Sequence, residues 1–340
     1  MSSLDPTRLD TEYAALTRGA ILLDLSDRSL LELTGRDRAS FLHNFCTNDI
    51  KRLPPGGGCE AFLTSIKGRI LEHLFVFADA DSLWVDGTPG YEDPVRSHLD
   101  RYLITEDVQI APRSAERGLL WLAGPAAADQ LRAITGVDAA SFGRLQHAWG
   151  AIEGERVHIR RLDLGGVPGW QVGVPRAQLA DVSARFEQAG AVRGSSELYD
   201  ALRIESGLPR YGRDLTEENL AQEARRTPAA ISFTKGCYLG QEPIARIDAL
   251  GHVNRELCIL EGEPQPGAEV TSLAGEAAPP VVGPGGQVAG ELTSRAWHPR
   301  TKSWWGLAVL KRGASGEGTR VTAGAENVPM TVHAPLPAAS

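Results

Sequence analysis

The chain has 340 residues, 42% of them apolar and 23% charged, and its 35 basic against 43 acidic side chains give a formal net charge of −8. That length implies two or three domains, and the acidic balance gives no general attraction to nucleic acid. No window approaches 18 uninterrupted apolar residues, and the segment Met1 to Pro6 has neither a basic nor an apolar run, so neither a transmembrane helix nor a signal peptide is expected.

Four cysteines, Cys46, Cys59, Cys237 and Cys258, form no CxxC pair and no zinc-like spacing with histidine. They suit a reducing compartment, and the expected location is the cytoplasm. Cys46, Cys59 and Cys258 are expected as small buried apolar groups.

In chain order, Leu30 to Gly35 predicts a short strand, and a helix follows from about Asp37 with Phe41, Leu42 and Phe45 on one side. Thr47, Asn48 and Asp49 favour a turn. The connector Leu53 to Gly58 is rich in Pro and Gly but lacks a phosphate-loop pattern. Glu60 to Phe77 predicts a hairpin turning at Lys67 and Gly68. Glu72 and His73 interrupt its second strand. Successive strand residues face opposite sides, so at least one of the two should enter a cavity or core unless both sit at a solvent-facing edge.

Helices are expected over Glu92 to Leu103, from Gly124 to about Ile134, and over Arg176 to Ala189. Strands are expected at Asp107 to Ile110, Leu119 to Leu122, Val157 to Ile159 and Gln171 to Val174, the last two paired. This alternation predicts an α+β architecture with an antiparallel sheet and packed helices. In Glu197 to Ser206, Leu198, Ala201, Leu202 and Glu205 share a helix face, so a carboxylate lies on the apolar side. It needs a partner: an arginine such as Arg213 or Arg246, backbone N–H groups, or a ligand edge rich in N–H donors, as pterin and guanine rings present.

Lys235-Gly236-Cys237-Tyr238-Leu239-Gly240-Gln241-Glu242 is a poor strand and a poor plain helix. Either it is a tight turn with an ordinary cysteine, or Lys235 helps keep Cys237 deprotonated and reactive. From Gly251 onward, five short alternating runs separated by Pro/Gly/Ala connectors predict a small β-barrel. Glu263 to Gly286 is expected as a long surface loop, and the tail from Ala334 as disordered. GxSxG, HExxH, phosphate-loop, dinucleotide and EF-hand patterns are absent, and the eight histidines form no i, i+4 pair.

The Lys235 to Glu242 block resembles the signature of the YgfZ family of folate-binding proteins, relatives of the glycine-cleavage T-protein (aminomethyltransferase). Weaker blocks follow in the expected order: Leu33 to Leu42 with Thr47-Asn48-Asp49, Leu103 to Val108, Leu202 to Gly207 with Tyr211-Gly212, and Gly290 to Ser294 with Trp305 to Ala308. The resemblance implies a three-subdomain ring around a central folate channel. Residues 1–250 would be the folate-binding region, 251–335 a barrel and 336–340 a tail. It implies tetrahydrofolate or a derivative as cofactor, held by Glu205 with Arg246, Asn48 and Trp170 as further contacts, and iron–sulfur assembly or client proteins as partners. It implies no direct nucleic-acid or membrane binding, and a role in cluster assembly or repair with an indirect effect on tRNA modification.

Cys237 and Lys235 would then be the working thiol and its cation. Two departures separate the chain from the transferase: Glu72-His73 stands where the transferase has adjacent aspartates, and Trp170-Gln171 where it has an aromatic–Glu pair. An extra methylene displaces the carboxylate by about a bond length, and a 1 Å misplacement costs on the order of 100-fold in rate. A tetrahydrofolate-dependent aminomethyltransferase with Glu72 as its catalytic acid is the alternative.

Overall fold

The computed structural model describes residues 5–263, 278–324 and 327–334. The elements run α1 (Pro6–Arg18), β1 (Ala20–Asp24), β2 (Ser29–Thr34), α2 (Arg38–His43), β3 (Gly57–Thr64), β4 (Ile70–Ala78), β5 (Ser82–Gly87), α3 (Glu92–Asp100) and β6 (Gln109–Pro112). Then follow β7 (Arg117–Ala123), α4 (Ala127–Thr135), β8 (His147–Ile152), β9 (Glu155–Arg161), β10 (Gly169–Pro175), α5 (Leu179–Gln188), β11 (Ala191–Arg193) and α6 (Ser196–Glu205). The last are α7 (Thr227–Ala230), α8 (Gln241–Leu250), β12 (Arg255–Gly262), β13 (Pro280–Val282), β14 (Val288–His298), β15 (Ser303–Lys311), β16 (Arg320–Ala323) and β17 (Val328–His333).

Three sheets result. The first has strand order β11-β1-β7-β10-β9-β8, the second β3-β4-β5-β2-β6, and the third closes as the barrel β12-β15-β14-β13-β16-β17. The expected α+β organisation with a terminal barrel is what forms. Closure leaves that barrel no free edge. Among the described residues, no helix is long and apolar enough to cross a membrane.

The sequence reading missed α1, β1, β5, β8, β11 and α7. α1 begins where the Asp5 side chain accepts from the Thr7 and Arg8 amides (3.0 and 3.3 Å) with Pro6 in the first turn. Its buried Glu12 accepts from the Ser195 amide (3.1 Å) and hydroxyl (2.5 Å), so α1 is tied to the start of α6. β1 lies inside the first sheet, antiparallel to β7 and parallel to β11. The expected loop Glu263 to Gly286 is corrected in part: Pro280–Val282 is β13, paired with β14 and β16, while 264–277 lie outside the described residues. The expected disordered tail, beyond Ala334, lies outside them as well.

Two polar clusters fasten the layers. Asp86 on β5 binds Arg28, and on its other oxygen Arg160 of β9 at 3.2 Å, joining the first two sheets. Arg203 on α6 donates to Asp214 (3.0 Å) and to the Ser294 hydroxyl (2.8 Å), fixing α6 to the barrel strand β14.

Candidate functional site

The segment Lys235 to Gly240 is a clamped loop. Lys235 Nζ donates to three backbone carbonyls, those of His43 (2.6 Å), Cys46 (2.5 Å) and Asn48 (2.9 Å). The Leu239 amide donates to Asn44 O at 2.8 Å, and Thr64 Oγ1 donates to Leu239 O at 2.7 Å. Tyr238 is buried, with the Lys235 ammonium 4.6 Å from its ring centroid. Gly240 has φ of +86°, and a β-carbon there would lie 2.3 Å from Ser65 O. Gly240→Ala therefore meets both a steric and a backbone penalty. We expect it to destabilise the protein by about 1–3 kcal/mol in urea unfolding and to loosen the loop, read as faster proteolysis near 240.

Cys237 is exposed, whereas Cys46 and Cys258 are buried and burial pushes both thiols up to about 12. Cys59 is only half-buried rather than fully interior. The expected partnership of Lys235 with Cys237 is corrected. An ammonium has three N–H donors, and all three are committed to carbonyls beneath the loop. Its burial lowers it to about 8, so Lys235 is a buried fastener and not a cation held out to the thiol. Asn48 is a fastener too: its Nδ2 donates to Glu60 O (2.8 Å) and Ala229 O (2.9 Å).

Glu72 and His73 are both buried, on opposite faces of β4. His73 Nε2 donates to Glu60 Oε1 at 2.8 Å. Glu60, on β3, also receives Arg226 on both of its oxygens and Arg144 on one. These cations hold its carboxyl well below the usual range despite burial, while burial keeps His73 neutral by lowering it. Glu72 differs. Its Oε1 accepts from the Thr88 hydroxyl (2.7 Å), the His73 amide (2.9 Å) and the Thr88 amide (3.3 Å), but its buried Oε2 has no partner. Burial pushes it up to about 7.

Glu205 closes α6 with Oε2 at 3.0 Å from His298 Nε2 and Oε1 on Arg300. These partners lower its carboxyl against the effect of burial, so it is ionised. Both come from the barrel, at the end of β14 and in the turn after it. Arg213 instead donates to Thr293 O (3.0 Å), and Arg246 lies exposed on α8. Neither anticipated arginine pairs with Glu205. A link joins Glu205 to the Glu60 cluster: the carbonyl of Gly207, two residues on, accepts from Arg226 Nη1 at 3.4 Å. Trp170 stands apart, buried between β10 and its covering helices with Nε1 donating to Ala139 O at 3.0 Å.

The family profile described as GCVT N-terminal domain matches residues 6–233, well over half of the chain. The chain belongs to the GCVT family. The mitochondrial aminomethyltransferase of Mesembryanthemum crystallinum is 28% identical over 312 residues, 88% of this chain and 74% of its own length. An Arabidopsis thaliana chloroplast protein, whose name places it only among transferases, is 27% identical over 322 residues, 93% of this chain and 71% of its own. The solved aminomethyltransferase T of the glycine cleavage system from Bartonella henselae superposes with a TM-score of 0.81 at 20% identity, covering 96% of this chain and 88% of that one. The fold is thus T-protein-like.

In this GCVT-family chain, three carboxylates are kept in three states. Glu60 is a locked anion. Glu205 is an anion shared with the barrel. Glu72 is poised near neutrality with one oxygen free, the condition in which a carboxyl can give or take a proton. His298 and Arg300 escaped the sequence reading because they lie more than 90 residues from Glu205. Their one local signal is the polar His298-Pro299-Arg300 turn set between Trp297 and Trp304.

Proposed function

We propose that the protein is a cytoplasmic, YgfZ-type member of the GCVT family that binds tetrahydrofolate or a derivative. In this role it supports iron–sulfur cluster assembly or repair, with an indirect effect on tRNA modification. The observation that carries this reading is the clamped loop: of the four cysteines only Cys237 is exposed, and the residues on both sides of it are anchored. Such fixing suits a thiol presented to a partner, here an assembly or client protein.

The residues fit a folate. A reduced pterin offers ring N–H donors, and the unpartnered buried Oε2 of Glu72 is an acceptor for one of them. Glu205 would accept others at the pterin edge by recruiting its remaining lone pairs. Bound folate supplies a one-carbon carrier, and the chain's own groups orient it. Arg246, exposed on α8, is free to meet a carboxylate of the ligand.

Cys237→Ser is expected to fold normally yet fail to restore iron–sulfur enzyme activities in a strain lacking the protein. Full restoration would return the thiol to an ordinary turn residue. Tetrahydrofolate titrated by calorimetry should bind wild type and bind Glu205→Gln more weakly; no binding to wild type removes folate from the account.

One observation favours a second reading, an aminomethyltransferase: Glu72 is buried and pushed up to about 7, a state suited to general acid–base work. Formation of 5,10-methylene-tetrahydrofolate from an aminomethyl-lipoyl carrier, abolished by Glu72→Gln, would establish that reading instead.

A further inference from the structure

A cavity of about 330 Å³ opens where α7, the end of α8 and the first barrel strand β12 meet. That is the size of a site for a small organic molecule. Its lining includes none of Glu72, Glu205 or Cys237, so the groups described above leave it unexplained. Gln222 stands in its wall. The amide Nε2 donates to Ile244 O at 2.6 Å, which fixes the orientation of the amide and leaves Oε1 as a buried acceptor with no partner. A buried polar atom left alone is costly and calls for an occupant.

The charges on the lining say which kind. Arg225 holds φ of +55°, a left-handed conformation that strains a residue with a β-carbon. Its guanidinium is spent inside the wall: Nη2 lies 2.8 Å from Glu256 Oε2, and Nη1 lies 3.6 Å from Cys258 Sγ. Asp248 is exposed and has no partner among the described residues. His252 Nδ1 donates to Leu250 O at 3.0 Å, so Nε2 of the neutral ring is an acceptor. The helix α8 ends here at its C-cap Gly251, where the last carbonyls add partial negative charge. Gln222, Asp248 and His252 thus offer acceptors, and no unpaired lysine or arginine faces them from the lining.

We propose that this cavity binds a small organic cation, an ammonium or guanidinium group on a short alkyl stem. The stem lies on the apolar surface of Pro228 and Ile247. The head pairs with Asp248 and donates to His252 Nε2, and a small shift of Gln222 brings Oε1 to a third N–H. An anionic ligand is disfavoured by the same lining, because Asp248 repels it and no free cation pairs with it.

The test is calorimetric titration of the full-length protein with agmatine and pentylamine, with pentanol and pentanoate as controls. Both amines should bind saturably, and both controls should fail to bind. Asp248→Asn should weaken agmatine binding about tenfold. Asp248→Lys sets a tethered ammonium at the mouth and should abolish binding. The position is exposed, so neither change should disturb the fold. Gln222→Leu removes the buried acceptor and should also weaken binding about tenfold. It frees Ile244 O as well, so if it folds poorly the two Asp248 variants carry the test. A blocked Gly-Arg-Gly tripeptide distinguishes the sources of the cation. Binding as tight as that of agmatine assigns the group to a partner's side chain, and exclusion assigns it to a free amine; either outcome supports the site. Absence of saturable amine binding, unchanged binding in Asp248→Lys, or pentanol binding as tightly as pentylamine overturns the proposal. No readout involves folate or Cys237, so failure here and failure of the proposed function are separately visible.

Discussion

Glu60→Gln should lower the unfolding free energy by about 3–5 kcal/mol. Glu60 is fully buried and neutralises Arg226, which is buried beside it, while also taking Arg144 and the His73 N–H. Replacing the carboxylate by an amide leaves Arg226 as an unmatched charge in the interior, a cost well above that of losing one hydrogen bond. Small domains hold only about 5–15 kcal/mol in total, so the variant should unfold at clearly lower urea. The double variant Glu60→Gln with Arg226→Met should recover part of the loss because the stranded charge is gone. A double variant as unstable as the sum of the singles would show that the cluster is not coupled. Acid should act in the same direction. The Glu60 carboxyl is held well below its unfolded value, so its contribution is present above the ordinary carboxylate range. It is lost as pH falls through the lowered folded value.

Glu72→Gln should do the reverse and stabilise the protein at high pH. Its carboxyl titrates at about 7 in the folded chain against 4.5 unfolded. Between these values the folded state binds more protons, so unfolding free energy falls as pH rises from 4.5 to 7. At 1.36 kcal/mol per pH unit the loss is about 3 kcal/mol above pH 7. Glutamine offers an N–H donor where a protonated carboxyl would offer its O–H at the free Oε2, and it keeps an oxygen for Thr88 and the His73 amide. The variant should therefore match wild type below pH 4.5 and exceed it at pH 8, read from urea midpoints at the two pH values. Equal wild-type and variant stability at pH 8 would show that Glu72 is not strained by its surroundings. Stability gained at the cost of activity would mark a group kept for chemistry.

The elements legible in the sequence were those with a strong local period. The hairpin β3–β4, helices α2, α3 and α6, and the barrel strands other than β13 all carry alternation or a helical stripe. The strand β1 was invisible because Ile21-Leu22-Leu23 is a continuous apolar run, buried on both faces between β7 and β11. The site divided in the same way. Glu205 was flagged because a carboxylate broke an apolar face, but its partners arrive from the barrel, beyond any local pattern. Lys235 and Cys237, two residues apart in a bent loop, point to different places. One lies under the loop against α2 and the other faces solvent. Nor does anything in Phe41-Leu42-His43 indicate that Lys235, nearly 200 residues later, fastens on the His43 carbonyl.

The strand order has a consequence for synthesis. β1 pairs only with β7 and β11, and every strand of the second sheet is made between β1 and β7. On the ribosome, β2 to β6 can therefore assemble into their sheet while β1 still lacks both of its neighbours. At roughly 5–20 residues per second the interval before β7 emerges is on the order of 5–20 s. During it, the apolar Ile21-Leu22-Leu23 run has unsatisfied edges on either side. The nascent chain is thus most exposed to aggregation, and most in need of a holding chaperone, while its second sheet is being made and before β7 arrives to begin its first.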